Sequence, residues 1–533
     1  MEAVRHYHQR TKHRLDGFAA GPGRLDWATQ PEPFRWYDGA PRVELPLVAD
    51  GLEPLYRDLY QQNSITPQPL LLESIAALFE LSLGLSAWKQ SGDTRWALRC
   101  NPSSGNLHPT EGYAIVPNVG LLSAGIYHYL SRDHLLEQRC AFASSVLPSN
   151  KLLIGLSSIH WREAWKYGER AFRYCQLDCG HAMAAVRYAA AALGWSVRLL
   201  DGWGDEAIST LLGLDRVVDF TDAEHEQPDL MLLVETVPSN SAVLSSAQLL
   251  KAAEAGQWHG EANQLSPYHS NEWPEIDVVA EACLKPETSP LHWQSANKSA
   301  LQQSDCSLTA ATLIRQRRSA QAFDGETAIT LESLCRMLDT LLPRSATPPW
   351  DLLSWPPQIH LLLFVHRVEG LEPGLYLFLR SDEAEAPMRS ALSQTFEWQQ
   401  VEGCPPQLRL YRLLHADTRE IAEQLSCRQA IAADSAFSLG MLAAFDAGLE
   451  RGAWAYRQLY WEAGILGQVL YLEAEAAGVR GTGIGCYFDD ALHAALGIED
   501  TRFQSLYHFT VGGALDDQRL LTLPPYEHRV AEL

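Results

Sequence analysis

The stretch FRYCQLDCGHAMAAVRYAAAALGWSVRLLDGWGDEAISTLLGLD (172–215) aligns without a gap with YRQLYWEAGILGQVLYLEAEAAGVRGTGIGCYFDDALHAALGIE (456–499), farther along the same chain. Each copy opens with a long run rich in alanine, which predicts a helix. Glycine is favoured just after the C-terminus of a helix, so the two helices are predicted to end at Gly194 and Gly478. Small residues in the interior of each helix would let the two helices approach closely. The repeat therefore predicts two similar halves that pack against each other.

Strand-like runs precede each copy of this stretch. The runs GYAIV (112–116) and GIYHY (125–129) recur, at one constant offset, as LLLFV (361–365) and GLYLF (374–378). Runs of this kind between Pro and Gly turns are typical of β-strands. The pattern predicts an α+β protein: two domains, each with a central mixed or antiparallel sheet flanked by helices, fused in one chain as an intramolecular pseudo-dimer.

The length of 533 residues exceeds what one hydrophobic core needs, so two or more domains are expected. The segment 1–55 is rich in aromatic residues, Pro and Gly and is predicted to form an extended N-terminal arm. The first half is assigned to 56–236 and the second half to 306–533. Between them, 237–305 loses its apolar periodicity and is predicted to be a long linker, with a helix near its start.

Composition limits the classes of partner. The net charge is −23, which disfavours nucleic acid and anionic membranes as partners. The alternative interpretation is that the negative charge serves only to keep the chain soluble. No apolar run is long enough to span a membrane, and the first residues do not resemble a secretory signal. The ten cysteines lack the spacing of a zinc site. We therefore expect a cytoplasmic protein with reduced thiols and no metal.

The loop Pro102-Ser103-Ser104-Gly105-Asn106 occurs only in the first half. Proline fixes the backbone, glycine permits unusual backbone angles, and the hydroxyl and amide groups can meet the oxygen and nitrogen atoms of a flat heterocycle. The same residues are also those of an ordinary surface turn.

A basic run, Arg315-Gln316-Arg317-Arg318-Ser319, occurs only in the second half. Guanidinium groups and a hydroxyl suit a phosphate, and a solvated basic turn is the alternative. Farther along, GTGIGC (481–486) is similar to a dinucleotide fingerprint, but a helix precedes it and its sixth residue is Cys486, so a Rossmann site is rejected. Gly483 and Gly485 could still approach a flat ligand closely.

Lys166 and Tyr167 are adjacent and follow Trp165. A lysine that is partly removed from water can act as a base, and a neighbouring tyrosine can relay or hold a proton. The second half lacks this lysine, which agrees with one active and one degenerate site. A solvated lysine beside a packing tyrosine is the alternative.

Taken together, these motifs resemble the nitroreductase superfamily, and more closely its SagB/ThcOx-type dehydrogenases, which use FMN to oxidise azolines in ribosomally made peptides. Arg317-Arg318-Ser319 resembles the motif that holds the FMN phosphate, and the Pro102–Asn106 loop resembles the one that meets the isoalloxazine from the opposite protomer. Lys166-Tyr167 is similar to the catalytic pair of the azoline dehydrogenases. The cofactor-binding residues implied by the resemblance are Pro102, Ser103, Ser104, Asn106, Arg317, Ser319, Gly483, Gly485 and Arg519.

The chain departs from the family pattern in one informative way. The place of the phosphate motif in the first half is occupied by Arg57-Asp58-Leu59-Tyr60, and the place of the loop in the second half by Asp351-Leu352-Leu353-Ser354-Trp355. Gln321 also stands where a second basic residue is usual. Because the family's FMN lies across the protomer interface, the resemblance implies one complete site at the seam between the halves.

The resemblance implies an FMN-dependent oxidoreductase that dehydrogenates azolines in a modified peptide. Two alternatives stay open: a reductase of nitro compounds or quinones that uses NAD(P)H, and a catalytically silent scaffold that binds a partner. The expected partner is a small molecule or a peptide, with no nucleic acid and no membrane.

Overall fold

The structure is a computed structural model that describes residues 1–237, 245–296, 299–302 and 304–530. The predicted linker 237–305 therefore falls partly outside the described residues, at 238–244, 297–298 and 303. None of the helices in the described ranges has both the length and the apolar character that a membrane crossing requires.

The N-terminal segment 1–55 contacts both halves of the chain. The sequence predicts an extended arm here, but the segment begins with a helix because apolar and polar positions alternate at helical spacing, which buries Val4, Tyr7 and His8. The regular elements of this segment are α1 (Glu2–Arg10), β1 (Tyr37–Asp38) and β2 (Arg42–Glu44).

The first half contains one antiparallel sheet and one very long buried helix. Its elements are α2 (Leu72–Ser82), β3 (Leu85–Ser91), β4 (Thr94–Arg99), β5 (Thr110–Val116), β6 (Gly125–Leu130), β7 (Leu135–Ala141), β8 (Lys151–Ser158), α3 (His160–Tyr167), α4 (Ala171–Ala192), β9 (Ser196–Leu199), α5 (Asp205–Leu212) and β10 (Gln227–Glu235). Helix α2 ends at Ser82 because the chain reverses tightly at Gly84, where a Cβ atom would lie 2.7 Å from the Glu80 carbonyl oxygen.

The connecting segment is partly regular. Its elements are α6 (Ser246–Glu254), β11 (Gln257–Trp258), β12 (Glu261–Ala262) and α7 (Pro274–Ala282). The helix expected near the start of the segment is present as α6. Strand β11 pairs with β7 and so extends the sheet of the first half. The domain boundaries themselves remain a prediction.

The second half repeats the plan of the first. Its elements are α8 (Ala310–Gln316), β13 (Ile329–Thr330), α9 (Leu331–Thr340), β14 (Ile359–Val365), β15 (Val368–Glu369), β16 (Gly374–Leu379), α10 (Glu385–Ala391), β17 (Gln399–Gln400), β18 (Arg409–His415), α11 (Arg419–Leu425), α12 (Ile431–Asp434), β19 (Phe437–Ala444), α13 (Phe445–Leu449), α14 (Ala455–Ala476), β20 (Arg480–Ile484), α15 (Asp489–Leu496), β21 (Phe503–Gly512), β22 (Leu521–Leu523) and α16 (Glu527–Val530).

The two large sheets share the order of six strands and differ at one edge, where β11 follows the other strands of its sheet in the chain and β17 does not. In the first, the order is β11-β7-β6-β5-β8-β10-β9, with β2 also paired to β7; in the second it is β17-β18-β16-β14-β19-β21-β20. Neighbouring strands in both sheets are antiparallel. Strand β22, near the end of the chain, joins β3 of the first half. The α+β fold class is confirmed.

The sequence repeat is also a repeat of elements. Helices α4 and α14 begin and end at aligned positions of the repeat, and so do α5 and α15. Strands β5 and β6 of the first half likewise begin and end at the positions that correspond to β14 and β16 of the second. Equal spacing of apolar positions has thus produced equal elements in both copies.

The halves meet where α4 crosses α14. A Cβ atom at Gly180 would lie 2.3 Å from the Trp461 carbonyl oxygen, and one at Gly464 would lie 2.2 Å from that of Leu177. Only glycine permits this approach, and the two glycines are equivalent positions of the repeat. Both helices are almost wholly buried and join the cores of the two halves into one.

Candidate functional site

A cavity of about 680 Å³ lies at the seam and is lined by residues of both halves. Its volume is in the range of small-molecule sites. The structure brings together most of the predicted cofactor residues in its wall. They are Pro102, Ser103, Ser104, Asn106, Arg317, Ser319, Gly483 and Gly485.

The loop from Pro102 to Asn106 forms one wall. Gly105 and Asn106 have φ values of 62° and 56°, which turn the loop tightly. The Ser103 hydroxyl accepts a hydrogen bond from the backbone N–H of His108 at 2.9 Å, and the Ser104 N–H donates to the Asp178 carboxylate at 3.3 Å. Helix α4 therefore holds the loop in place through Asp178.

Lys166 and Tyr167 lie behind this loop, at the end of α3. A Cβ atom at Gly105 would lie 2.7 Å from the Tyr167 hydroxyl and 2.9 Å from Lys166 Nζ. Gly105 therefore lies between the cavity and the predicted catalytic pair, and neither side chain of the pair lines the cavity. Burial, then Glu163, raise the pKa of Tyr167 well above its ordinary value, so this phenol stays protonated at neutral pH.

Two buried carboxyl groups, Glu163 of α3 and Asp178 of α4, adjoin the same loop. Burial raises the pKa of Asp178 to about 7, and burial followed by repulsion from Asp178 raises the pKa of Glu163 well above its usual range. Both carboxyl oxygens of Glu163 are buried, and the Ser103 hydroxyl of the loop is the hydrogen-bonding group that opposes the rise in the pKa of Glu163. Because two such groups cannot both ionise without a large penalty, at least one proton is held here near neutral pH.

The opposite end of the cavity is cationic. Arg317 is buried, donates to the carbonyl oxygens of Arg99 and Cys100 at 2.8 and 3.0 Å, and lies 5.0 Å from the Tyr471 ring centre. Its Nε atom is buried without a partner in the described part of the chain. Burial and the neighbouring Arg317 lower the pKa of Arg318 to about 10. A cluster of this kind, incompletely compensated by acids, favours an anion.

Lys89 and Arg480 add two more cations to this end. Lys89 donates to the Thr522 hydroxyl at 2.7 Å, and Arg480 donates to Asp516 at 2.6 Å. Arg519 does not line the cavity: its side chain is 86% exposed and paired with Asp517. Its phosphate role stays a prediction to which the structure adds nothing.

The third wall is made by glycine backbone and tyrosine rings. A Cβ atom at Gly483 would lie 1.7 Å from the Tyr507 hydroxyl, and one at Gly485 would lie 2.2 Å from the Tyr174 ring. The Gly483 N–H donates to the Tyr471 hydroxyl at 2.9 Å, and the same hydroxyl is 2.9 Å from Ser319 Oγ. Glycine is required at both positions because the tyrosines already fill the space beside them.

Sequence reasoning missed several residues of the site. Asp178 and Tyr471 lie inside the long helices, where a polar residue among alanines and leucines could have been noticed, and His181, which the resemblance includes beside the Lys166-Tyr167 pair, lies on the same helix as Asp178. His181 lies 3.2 Å from the Tyr507 hydroxyl, and burial lowers its pKa to about 3, so it is a neutral imidazole. Lys89 and Tyr507 lie on strands distant in sequence, and only the fold brings them here.

The chain is similar to known proteins in sequence as well as in fold. Residues 66–221 match the Nitroreductase family. A putative nitroreductase of Methanocaldococcus jannaschii is 25% identical over 122 residues, which cover 21% of this chain and 62% of that protein. The match thus spans less than two thirds of the curated nitroreductase.

The crystal structure of a putative nitroreductase from Anabaena variabilis is similar over nearly the whole chain. The superposition covers 96% of this chain and 99% of the Anabaena chain, with a TM-score of 0.69 and 23% sequence identity. The two-domain chain therefore has a nitroreductase fold throughout, including the part that the family match does not reach.

Proposed function

We propose that this protein is an FMN-dependent oxidoreductase with one flavin site, in the cavity between its halves. The observation that carries the proposal is that the Pro102–Asn106 loop of the first half and the Arg317–Ser319 run of the second line the same cavity. Neither half has both motifs, so the cavity is complete only when the halves pack together.

The residues present fit a flavin mononucleotide. The cationic end, with Arg317, Arg318, Arg480 and Lys89, suits a dianionic phosphate, and the unpartnered Arg317 Nε supplies a further donor among the described residues there. The glycine wall and the loop leave backbone surface for a flat ring system. Bound FMN would supply two-electron hydride chemistry, which belongs to the cofactor.

The protein's own contribution is to hold protons and to position the substrate. Asp178 is placed to accept a proton at its carboxylate near neutral pH, with Glu163 as the neighbouring acid. The Tyr167 hydroxyl can donate a hydrogen bond, and Lys166 Nζ lies beside it behind Gly105. This proton-holding group favours a reaction in which a substrate loses a proton together with a hydride.

The finer proposal is dehydrogenation of azolines in a modified peptide. It is supported by the Lys166-Tyr167 pair next to the loop and by the acid pair that can take the released proton. Reduction of a nitro compound or quinone with NAD(P)H is the competing outcome of the test below.

The first experiment measures flavin. The purified protein should be yellow and hold about one FMN per chain after reconstitution. Arg317→Ala should weaken FMN binding by about 10- to 100-fold, since a hydrogen bond to a charged group contributes about 1.5–3 kcal/mol. Arg57→Ala changes the exposed arginine at the corresponding place of the first half and should bind FMN normally.

A colourless protein that cannot be reconstituted would refute the proposed function. A thermal melt of the Arg317→Ala variant separates loss of the ligand from loss of the fold, because Arg317 also bonds the backbone at Arg99 and Cys100. Equal FMN affinity of the two arginine variants would contradict the placement of the phosphate.

The second experiment separates the two reactions. The flavin of an azoline dehydrogenase should be reduced by a peptide that contains a thiazoline, and Lys166→Ala should keep the flavin and lose turnover by about 10²–10⁴-fold. Rapid reduction by NADPH with transfer to a quinone, unaffected by Lys166→Ala, would instead favour the nitro or quinone reductase.

A further inference from the structure

Two cysteines from separate elements meet next to the wall of the cavity. Cys427 follows α11 and Cys486 follows β20, and the two side chains adjoin closely enough to shift each other's pKa. The backbones are also tied, because Gln429 donates to the Cys486 carbonyl oxygen at 3.2 Å and the Phe488 N–H donates to Leu425 at 2.8 Å. Both cysteines are partly exposed, so small reagents can reach them.

The surroundings of Cys486 favour its thiolate. The neighbouring Cys427 thiol is the largest cause that lowers the pKa of Cys486 to about 5, and His13 and Arg170 act in the same direction against the effect of burial. The neighbouring Cys486, followed by burial, raises the pKa of Cys427, so Cys427 keeps its proton. Asp489 also faces this cluster, but Arg170 and Arg173 pair with it at 3.1 and 2.9 Å.

The backbone at Cys427 is strained. Cys427 and Arg428 have φ values of 54° and 60°, and two consecutive residues other than glycine rarely adopt the left-handed region. Backbone strain of this kind gathers at functional sites. The turn holds the Cys427 thiol against Cys486.

A second pair of contacting cysteines provides a contrast. Cys335 of α9 and Cys404 also adjoin closely enough for each thiol to shift the pKa of the other. The charged group that influences this pair is Asp339, an acid, whereas Cys486 is influenced by His13 and Arg170. Reactive thiols lie in electropositive, partly exposed surroundings, and only Cys427–Cys486 of these two pairs has them.

We propose that Cys486 and Cys427 form a redox-active dithiol that exchanges with small-molecule disulfides. The Cys486 thiolate attacks one sulfur of glutathione disulfide, the S–S bond breaks, and one glutathione leaves as its thiolate. Cys427 then loses its proton and displaces the second glutathione. Two protein thiols are oxidised to one disulfide and one small disulfide is reduced to two thiols.

The new bond would link the cavity wall to a neighbouring turn. Gly485 lines the cavity and directly precedes Cys486. A Cys427–Cys486 disulfide would therefore fix that wall to the turn at 425–429 and connect the redox state of the thiols with the shape of the site. The dithiol itself does not depend on a bound flavin, so it stands or falls separately from the proposed function.

The first test is alkylation of the full-length protein with iodoacetamide at pH 6, followed peptide by peptide by mass spectrometry. Cys486 should react about tenfold faster than Cys404, because its larger thiolate fraction outweighs the lower nucleophilicity of a more acidic thiol. Equal or slower reaction of Cys486 would overturn the proposal.

The second test uses glutathione disulfide. The wild-type protein should lose two hydrogens and yield a peptide that links Cys427 to Cys486, whereas Cys427→Ser should stop at a glutathione adduct on Cys486. Cys335→Ser, in the other pair, should leave this reaction unchanged. Stable glutathione adducts on the wild-type protein, or a disulfide formed equally fast between Cys335 and Cys404, would contradict the assignment.

Discussion

Asp178 of α4 and Glu462 of α14 occupy equivalent positions of the repeat, yet their surroundings are opposite. Asp178 lines the cavity and accepts hydrogen bonds from the Ser104 N–H at 3.3 Å. Glu462 is fully buried, pairs with Arg380, and accepts hydrogen bonds from the backbone at Gln358 and Ile359. One carboxyl is available for chemistry and the other is fully committed to the fold.

The neighbouring positions show the same difference. Gly483 and Gly485, which line the cavity, correspond in the repeat to Leu199 and Asp201, at the place equivalent to the cavity that we call the second seam. There Asp201 accepts hydrogen bonds from Ser354 and from the Leu291 N–H. Side chains thus hydrogen-bond to each other at the second seam, whereas the first seam contains the cavity. The backbone elements at the two places are equivalent. The comparison shows that the scaffold supplies two places for a site and the side chains decide which one can work.

Among the substitutions that test the difference between Asp178 and Glu462, Glu462→Ala should lower the free energy of unfolding the most. It removes the partner of the buried Arg380 guanidinium, which should cost about 3–5 kcal/mol of unfolding free energy. Urea unfolding measures this cost. A loss below about 1 kcal/mol would mean that this ion pair does not hold the buried core of the second half together.

Asp178→Asn should raise the stability of the protein at alkaline pH, whereas Glu462→Ala should lower it. Because burial raises the pKa of Asp178 to about 7, the native state holds a proton that the unfolded state loses above about pH 4. This group's contribution to stability is therefore full below pH 4 and is lost as pH rises towards 7 and above.

The amide cannot ionise, so Asp178→Asn should be more stable than the wild type at pH 8 by up to about 4 kcal/mol, since a pKa rise of about 3 units at about 1.36 kcal/mol per unit sets this limit. The difference should shrink towards pH 4, and turnover should fall at every pH. Urea unfolding at both pH values checks this prediction, with Glu462→Gln as the matched carboxyl change. A stability difference that does not vary with pH would show that Asp178 is already ionised.

Ser319→Ala should have the smallest effect and should act on the ligand. It removes one exposed hydroxyl from the cavity wall, which should weaken FMN binding by roughly three- to tenfold and hardly change stability. The matched hydroxyl change in the second seam is Ser354→Ala, which breaks a hydrogen bond to Asp201 and should lower stability without changing FMN affinity. Isothermal titration and thermal melts test both, and reversed effects would exchange the roles of the two seams.

The fold could largely be predicted from the sequence because the repeat fixes it twice. The helix pairs and strand pairs follow from apolar spacing that is local to each segment, and their bounds agree between the copies. Other elements depend on distant contacts. The first helix of the N-terminal segment and the pairing of β22 with β3 are examples, since their partners lie far away in the chain.

Only some residues of the candidate site could be predicted from the sequence. The loop at Pro102–Asn106 and the run at Arg317–Ser319 are short motifs with recognisable chemistry, and each could be found alone. Asp178 and Glu163 were missed because their importance comes from burial and mutual repulsion, which are properties of the packed state.

Local sequence patterns encode two copies of one α+β plan, with the candidate binding motifs divided between them. The packing of distant residues sets three further features: these motifs share a cavity, the Arg519 side chain is exposed and paired with Asp517, and Asp201 at the second seam accepts a hydrogen bond from Ser354. The physical reason is that periodicity and turn chemistry are local to the chain. The desolvation and crowding that create a site depend on residues hundreds of positions apart.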